Sequence, residues 1–294
     1  MAVEYRNLTL KGTNVRFNNM IKTRLTHLFF SLMGTLYRPL AEFWVKKLFF
    51  TPPRYHLSDG EQQMIHMATP FAFQVRDQKI RGYRWGKGPA IIFIHGWGGS
   101  GVQFSPYFKP LTEAGFSVFT FDHPGHGGSD GRTSSYFEFS DAVEQFMVHH
   151  ETLDIHAIVA HSLGGSAVIN YLWKTQKNIK TILFAPALSL IETLDQTFSR
   201  YGVPSELFYA LIEKLEKKTG HRFERENPVH LMLRLSSDIL IVHDTEDKAI
   251  PYEESWSASL RQENIRLFPT KGLGHIRILK DETLAGQMME KITG

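Results

Sequence analysis

Six short runs of this chain are almost wholly apolar: residues 90–95, 116–121, 155–160, 179–184, 238–243 and 264–268. Runs of this length without alternation suit strands buried on both faces of a sheet. Between them the pattern changes to helical spacing, over 106–114, 140–150 and 166–173, and again over 282–292 near the end. Strand and helix taking turns in this way predict an α/β architecture with a mostly parallel sheet. Ahead of the first buried run, residues 69–77 and 79–85 alternate apolar with polar positions around Asp77-Gln78. They read as an antiparallel hairpin at one edge, which brings the expected sheet to about eight strands.

Two stretches do not fit the alternation. Between residues 188 and 237 no buried-strand pattern appears, and the periodicity is helical, most clearly over 206–218. A bare loop of that length is rare in a compact domain, so a small helical cap over one end of the sheet is expected. Residues 20–50 carry apolar positions at helical spacing with Lys and Arg among them, and Gly34 and Pro39 divide them into two helices. Their apolar surface needs a partner. The expected one is the main domain, or the same segment of a second copy in a homodimer. A basic, aromatic-rich helix pair also suits peripheral contact with a membrane. It does not suit a span, because its apolar runs are far short of ~18–20 residues and Arg38, Glu42, Lys46 and Lys47 would lie in hydrocarbon. Thr51-Pro52-Pro53 then reads as a rigid linker. The expected domains are an N-terminal helical extension over 1–68, a core over 69–187 and 238–294, and the cap over 188–237.

Composition narrows the chemistry. The chain has 294 residues, 42% of them hydrophobic, enough for a sizeable core. Its 33 basic and 30 acidic residues leave a net charge of +3, which makes no case for nucleic acid as a partner. There is no cysteine, so disulfides, cysteine zinc sites and thiol nucleophiles are excluded. The first 19 residues are polar and lack the start of a secretory signal, so a cytoplasmic protein, with or without membrane-surface contact, is expected.

The residues that follow the buried runs carry the candidate chemistry, because sites in parallel sheets form at the carboxyl ends of strands. Ala160-His161-Ser162-Leu163-Gly164-Gly165 links a strand to a helix through small residues, the setting of a nucleophilic serine on a strained turn. Ala160 stands where the usual G-x-S-x-G pattern has glycine. The strand 90–95 leads into Gly96-Trp97-Gly98-Gly99, and the later strands into Asp244-Thr245-Glu246-Asp247 and Gly274-His275. A serine hydroxyl needs a histidine to take its proton, and that histidine needs a carboxylate to fix its tautomer. The oxyanion needs preorganised donors, here the backbone N–H groups of Leu163 and Trp97.

From about residue 69 onward the sequence resembles the α/β-hydrolase superfamily of serine-nucleophile enzymes, in its capped, esterase-like form. The matching pieces are His95-Gly96-Trp97-Gly98-Gly99, the run from Asp122 to Ser129, Ala160 to Gly165, His243 to Pro251, and Gly274-His275, all in family order. The resemblance implies Ser162 as nucleophile, His275 as base and Asp247 as acid, with no cofactor and no metal. Asp244 and Glu246 are the rival carboxylates; family spacing, with Asp247 four residues before Pro251, favours Asp247. His95 and the Asp122-His123-His126-Asp130 loop are expected to shape and brace the oxyanion loop, and His161 to pack or hydrogen-bond. Trp97, Phe104, Phe198, Tyr201, Phe208 and Tyr209 are candidates for an apolar pocket under the cap, some of them core. The implied activity is hydrolysis of a small-molecule carboxylic ester or thioester through an acyl-serine. Acyl transfer, amide or C–C bond cleavage on the same machinery, and a non-catalytic binding protein of the same fold, stand as alternatives.

Overall fold

Side chains of successive strand residues point to opposite faces, and here both faces are apolar, so the sheet is buried between two layers of helices. The strands are β1 (Thr69–Val75), β2 (Gln78–Gly86), β3 (Ala90–Ile94), β4 (Ser117–Phe121), β5 (Ile155–His161), β6 (Lys180–Phe184), β7 (Ile239–Asp244) and β8 (Ile265–Thr270). In this computed structural model, which describes residues 24–34, 36–220 and 222–294, they form one sheet in the order β1-β2-β4-β3-β5-β6-β7-β8. Strands β3 to β8 run parallel, while β1 and β2 are antiparallel neighbours at one edge. Ile92 and Ile94 join Phe139, Val143 and Val168 in one core cluster; Ile91 and Phe93 join Phe108, Leu111 and Met288 in the other. The hairpin turn falls on Arg76-Asp77, one residue earlier than its pattern predicts, with Val75 paired to Gln78 and Arg76 at φ 56°. Two-residue hairpin turns favour such positive φ because it matches the strand twist.

Strand order reverses at β3: the chain goes to β4 on one side and then returns to β5 on the other. That switch point opens a crevice at the carboxyl ends of β3 and β5. The loop after β3 and the turn after β5 therefore meet there.

Contacts divide the described residues into two units, Phe50–Leu190 with Glu224–Gly294, and the residues up to Phe49 with Ile191–Phe223. The expected extension and cap fall together in one unit, and the boundaries differ from the sequence reading in two further places. Residues 50–68 belong with the core rather than with an extension. There Glu61, 3% exposed, accepts from Tyr55 at 2.6 Å, from Ser58 Oγ at 2.9 Å and from Lys280 at 3.0 Å, while Met64 and Ile65 pack on a core cluster. The short helix Pro228–Met232 also belongs with the core rather than with a cap, since Leu231 and Met232 are buried in it.

The other unit holds the helices Leu190–Arg200 and Ser205–Thr219 together with Arg38–Phe49, and residues 24–34 are also helical. Its internal ties are specific. Phe49 stacks on Phe198 at 3.7 Å between ring centroids, and Lys214 reaches both oxygens of Glu42 at 2.7 and 2.6 Å. Phe30, Ala41 and Val45 are buried, yet Leu25, Leu28, Phe29, Leu32, Phe43 and Trp44 are exposed, so packing covers only part of the expected apolar surface. The start of the expected helix pair, residues 20–23, and the polar residues 1–19 lie outside the described residues. No described helix is long and apolar enough to cross a membrane.

Candidate active site

Strand β5 is fully buried from Ala157 to its end, and the helix Leu163–Thr175 begins at once after Ser162. Turning from strand to helix in one residue forces Ser162 to φ 51° and ψ −124°. A non-glycine residue there stores roughly 1–3 kcal/mol of strain, which its surroundings must hold in place. They do so through its backbone: the Ser162 N–H donates to Phe184 at 3.0 Å, and its carbonyl accepts from Gly165 at 2.9 Å. Gly164 is the glycine this turn requires, since a Cβ there would lie 2.4 Å from the His95 carbonyl oxygen. A Cβ at Gly165 would come no closer than 3.3 Å to its neighbours, and Ala160 is accommodated fully buried in the strand without a positive φ.

Three residues far apart in sequence meet at this turn. His275 Nε2 lies 3.1 Å from Ser162 Oγ, and His275 Nδ1 lies 2.7 Å from Asp247 Oδ2. With Nδ1–H donating to the carboxylate, Nε2 is left as an acceptor facing the serine hydroxyl. The other Asp247 oxygen accepts the N–H groups of Ala249 at 2.7 Å and Ile250 at 3.1 Å. Burial works to raise the Asp247 pKa, but His243, His275 and these N–H groups outweigh it and hold the carboxyl well below the usual carboxylate range. It is an anion at neutral pH.

The rival carboxylates are placed elsewhere. Asp244 accepts from Thr270 Oγ1 and Leu273 N–H, both at 2.9 Å, and from Glu246 N–H at 3.0 Å. It ties the end of β7 to the loop that carries His275. Glu246 is exposed, and Asp238 pairs with Arg266 at the opposite end of the sheet.

The loop after β3 is held by a reciprocal pair of histidines. His95 donates from Nδ1 to the Gly96 carbonyl at 2.7 Å and accepts the His123 N–H at Nε2 at 2.9 Å. His126 donates from Nδ1 to the Pro124 carbonyl at 2.9 Å and accepts the Gly98 N–H at 3.1 Å. Each role requires a neutral ring. Burial lowers the His95 pKa to about 4; burial, helped by the neighbouring His95, lowers that of His126 to about 3. Asp122 completes the brace by accepting from Ser100, Gly101 and Gly128 at 2.9, 2.8 and 2.8 Å. His123 stacks flat on Phe139 at 3.7 Å.

So braced, the loop presses against the serine: a Cβ on Gly96 would lie 2.8 Å from Ser162 Cβ. Trp97, half-buried, rests edge-on against His126. The N–H groups of Trp97 and Leu163 form no hydrogen bond among the described residues.

Two side chains take roles that the sequence reading left general or missed. His161 Nε2 lies 3.0 Å from the His275 carbonyl oxygen, so its N–H steadies the backbone of the residue that faces Ser162. His243, fully buried, places Nε2 3.3 Å from Asp247 Oδ2 and Nδ1 2.7 Å from Ser255 Oγ. The available signal was its spacing, four residues before Asp247 at the end of a strand. Of the six aromatic residues considered for a pocket, Phe104 is core beside Phe93 and Tyr107. Phe198 and Phe208 are buried against each other, and Tyr201 and Tyr209 are exposed.

Comparison with known proteins agrees with this architecture. The family profile described as alpha/beta hydrolase fold matches residues 89–277, and the chain belongs to that family. Among curated proteins, it is 30% identical over 131 residues to a non-heme chloroperoxidase of Kitasatospora aureofaciens, covering 43% of this chain and 46% of that one. The chain spans less than half the length of this relative and of the two mycoplasma relatives it also matches. Among solved structures, Est1E of Butyrivibrio proteoclasticus with ferulic acid bound superposes with a TM-score of 0.59 at 22% identity, over 76% of this chain and 100% of that one. An esterase of Pyrococcus furiosus does so with a TM-score of 0.59 at 16% identity, over 83% and 99%.

Proposed function

We propose that the protein hydrolyses a carboxylic ester or thioester through an acyl-Ser162 intermediate. The observation that carries this reading is the hydrogen-bonded line from Asp247 through His275 to Ser162, at 2.7 and 3.1 Å. As Ser162 Oγ attacks the acyl carbon, its proton passes to His275 Nε2. The imidazolium so formed is stabilised by Asp247, which stays ionised. The carbonyl oxygen becomes an oxyanion, and the N–H groups of Trp97 and Leu163 are the donors assigned to it. His275 then gives its proton to the departing alcohol or thiol. In the second half His275 takes a proton from water, the hydroxide attacks the acyl carbon, and as the acyl–Oγ bond breaks His275 returns that proton to Ser162 Oγ and the carboxylic acid departs.

Names among the relatives do not decide the matter, since they include a chloroperoxidase as well as esterases. The arrangement of donors and acceptors at Ser162 favours acyl chemistry. The test is turnover of a p-nitrophenyl ester series of increasing acyl length, with Ser162→Ala as control. A serine-directed fluorophosphonate should label Ser162 alone. Folded protein that takes no label at Ser162, or a Ser162→Ala variant with undiminished turnover, would overturn the proposal.

A further inference from the structure

The helix over residues 24–34 and the helix Arg38–Phe49 turn apolar residues outward. On the first, Leu25, Leu28, Phe29 and Leu32 lie at helical spacing along one stripe, and all are exposed, Leu28 by 55% and Leu32 by 52%. The opposite side, with Thr26, Phe30 and Ser31, is the more buried one. This reverses the usual amphipathic arrangement, in which the apolar stripe faces the core. On the second helix Ala41 and Val45 are buried while Phe43 and Trp44 are 56% and 43% exposed.

The exposed charge on these two helices has one sign. Arg24, Arg38, Lys46 and Lys47 are exposed. The one acid in these two helices, Glu42, is 7% exposed and taken up by Lys214 and Arg38. Lys47 Nζ lies 5.2 Å from the centre of the Trp44 ring, a cation resting on an exposed aromatic. A second copy of the chain fits this poorly. A two-fold contact would bring the same basic residues together, and neither helix has an exposed carboxylate of its own to set between them. A surface that is apolar beneath and anionic on top matches both features.

We propose that these two helices seat the protein on an anionic lipid surface. The leucines and aromatic rings enter the boundary between headgroups and acyl chains, and the arginines and lysines meet the headgroup phosphates. This does not rest on the ester-hydrolase reading, because a Ser162→Ala protein is expected to bind the same surface.

The experiment is co-sedimentation of the full chain with phosphatidylcholine vesicles, with and without phosphatidylglycerol. Binding is expected with phosphatidylglycerol and is expected to weaken steeply in high salt. Lys46→Gln with Lys47→Gln should weaken it about thirtyfold, at about fivefold for each charge. Leu28→Gln with Leu32→Gln should abolish it, with the melting curve as the check on folding. Phe43→Gln, which changes one exposed ring, serves if the double variant does not fold. Trp44 fluorescence should shift to the blue on binding, a change lost in Trp44→Phe. Absence of binding at every vesicle composition would overturn the proposal. So would a concentration-dependent dimer that the leucine substitutions dissolve while vesicles leave the protein in solution.

Discussion

Mild acid should destabilise this protein through the histidines of the loop brace, and His126 is the place to measure it. His126 accepts the Gly98 N–H and is neutral in the fold, with its pKa lowered from 6.5 to about 3 by burial and by His95. Released into water, the ring recovers its ordinary pKa. Below pH 6.5 the unfolded chain therefore binds a proton that the folded chain refuses. The contribution is fully present above pH 6.5 and is lost as pH falls from there toward about 3. The loss approaches about 1.4 kcal/mol per pH unit and reaches about 2 kcal/mol by about pH 5. Carboxylates held low in the fold, Asp244, Asp247 and Glu61, act in a lower window, because their unfolded values are 3.8, 3.8 and 4.5. The assay is urea unfolding followed by tryptophan fluorescence between about pH 8 and about pH 5, for the wild type and for His126→Gln. A glutamine oxygen can still accept from Gly98 but does not titrate. The other buried histidines and Asp122 are common to both proteins, so the difference in slope reports His126 together with its coupling to His95, His123 and Asp122. The wild type should lose about 2 kcal/mol more than the variant over this range. Parallel pH profiles would refute the neutral-acceptor role.

Three further outcomes follow from the site. Asp247→Asn should lower kcat by orders of magnitude, by analogy with the ~10⁴-fold effect of the same change in a serine protease. Asp244→Asn should instead lower the melting temperature more than kcat, because Asp244 ties Thr270 and Leu273 to β7; the reverse result would mean that the carboxylates are misassigned. Gly164→Ala should destabilise by about 1–3 kcal/mol through overpacking, since its Cβ would meet the His95 carbonyl at 2.4 Å. Gly165→Ala should cost clearly less in the same urea titration, and equal losses would contradict the close-approach argument.

Much of the architecture was legible without coordinates, for a physical reason. A strand buried on both faces must be apolar throughout, so β3 to β7 stand out as runs, and β8 shows itself less fully because parts of it are half-buried. Ser162, Asp247 and His275 could be named as candidates because Ser162 follows its strand directly and the other two lie in the short loops after theirs, and because a one-residue strand-to-helix turn tolerates few neighbours. What no local pattern carries is the pairing of groups distant along the chain. Family spacing favours Asp247 over Asp244, but the partners that separate them appear only where the loop after β8 lies beside the end of β7, giving one carboxylate Leu273 and the other His275. His161 acquired its partner 114 residues away by the same meeting of strand ends. The 50–68 segment looked like part of an extension until Lys280 closed on Glu61 across 219 residues. The helices of residues 24–49 show the limit most plainly. Helical spacing says which of Leu25, Leu28, Phe29 and Leu32 share a face, because 3.6 residues make a turn. Whether that face looks inward or toward water depends on what the opposite face packs against, and only the tertiary structure decides that.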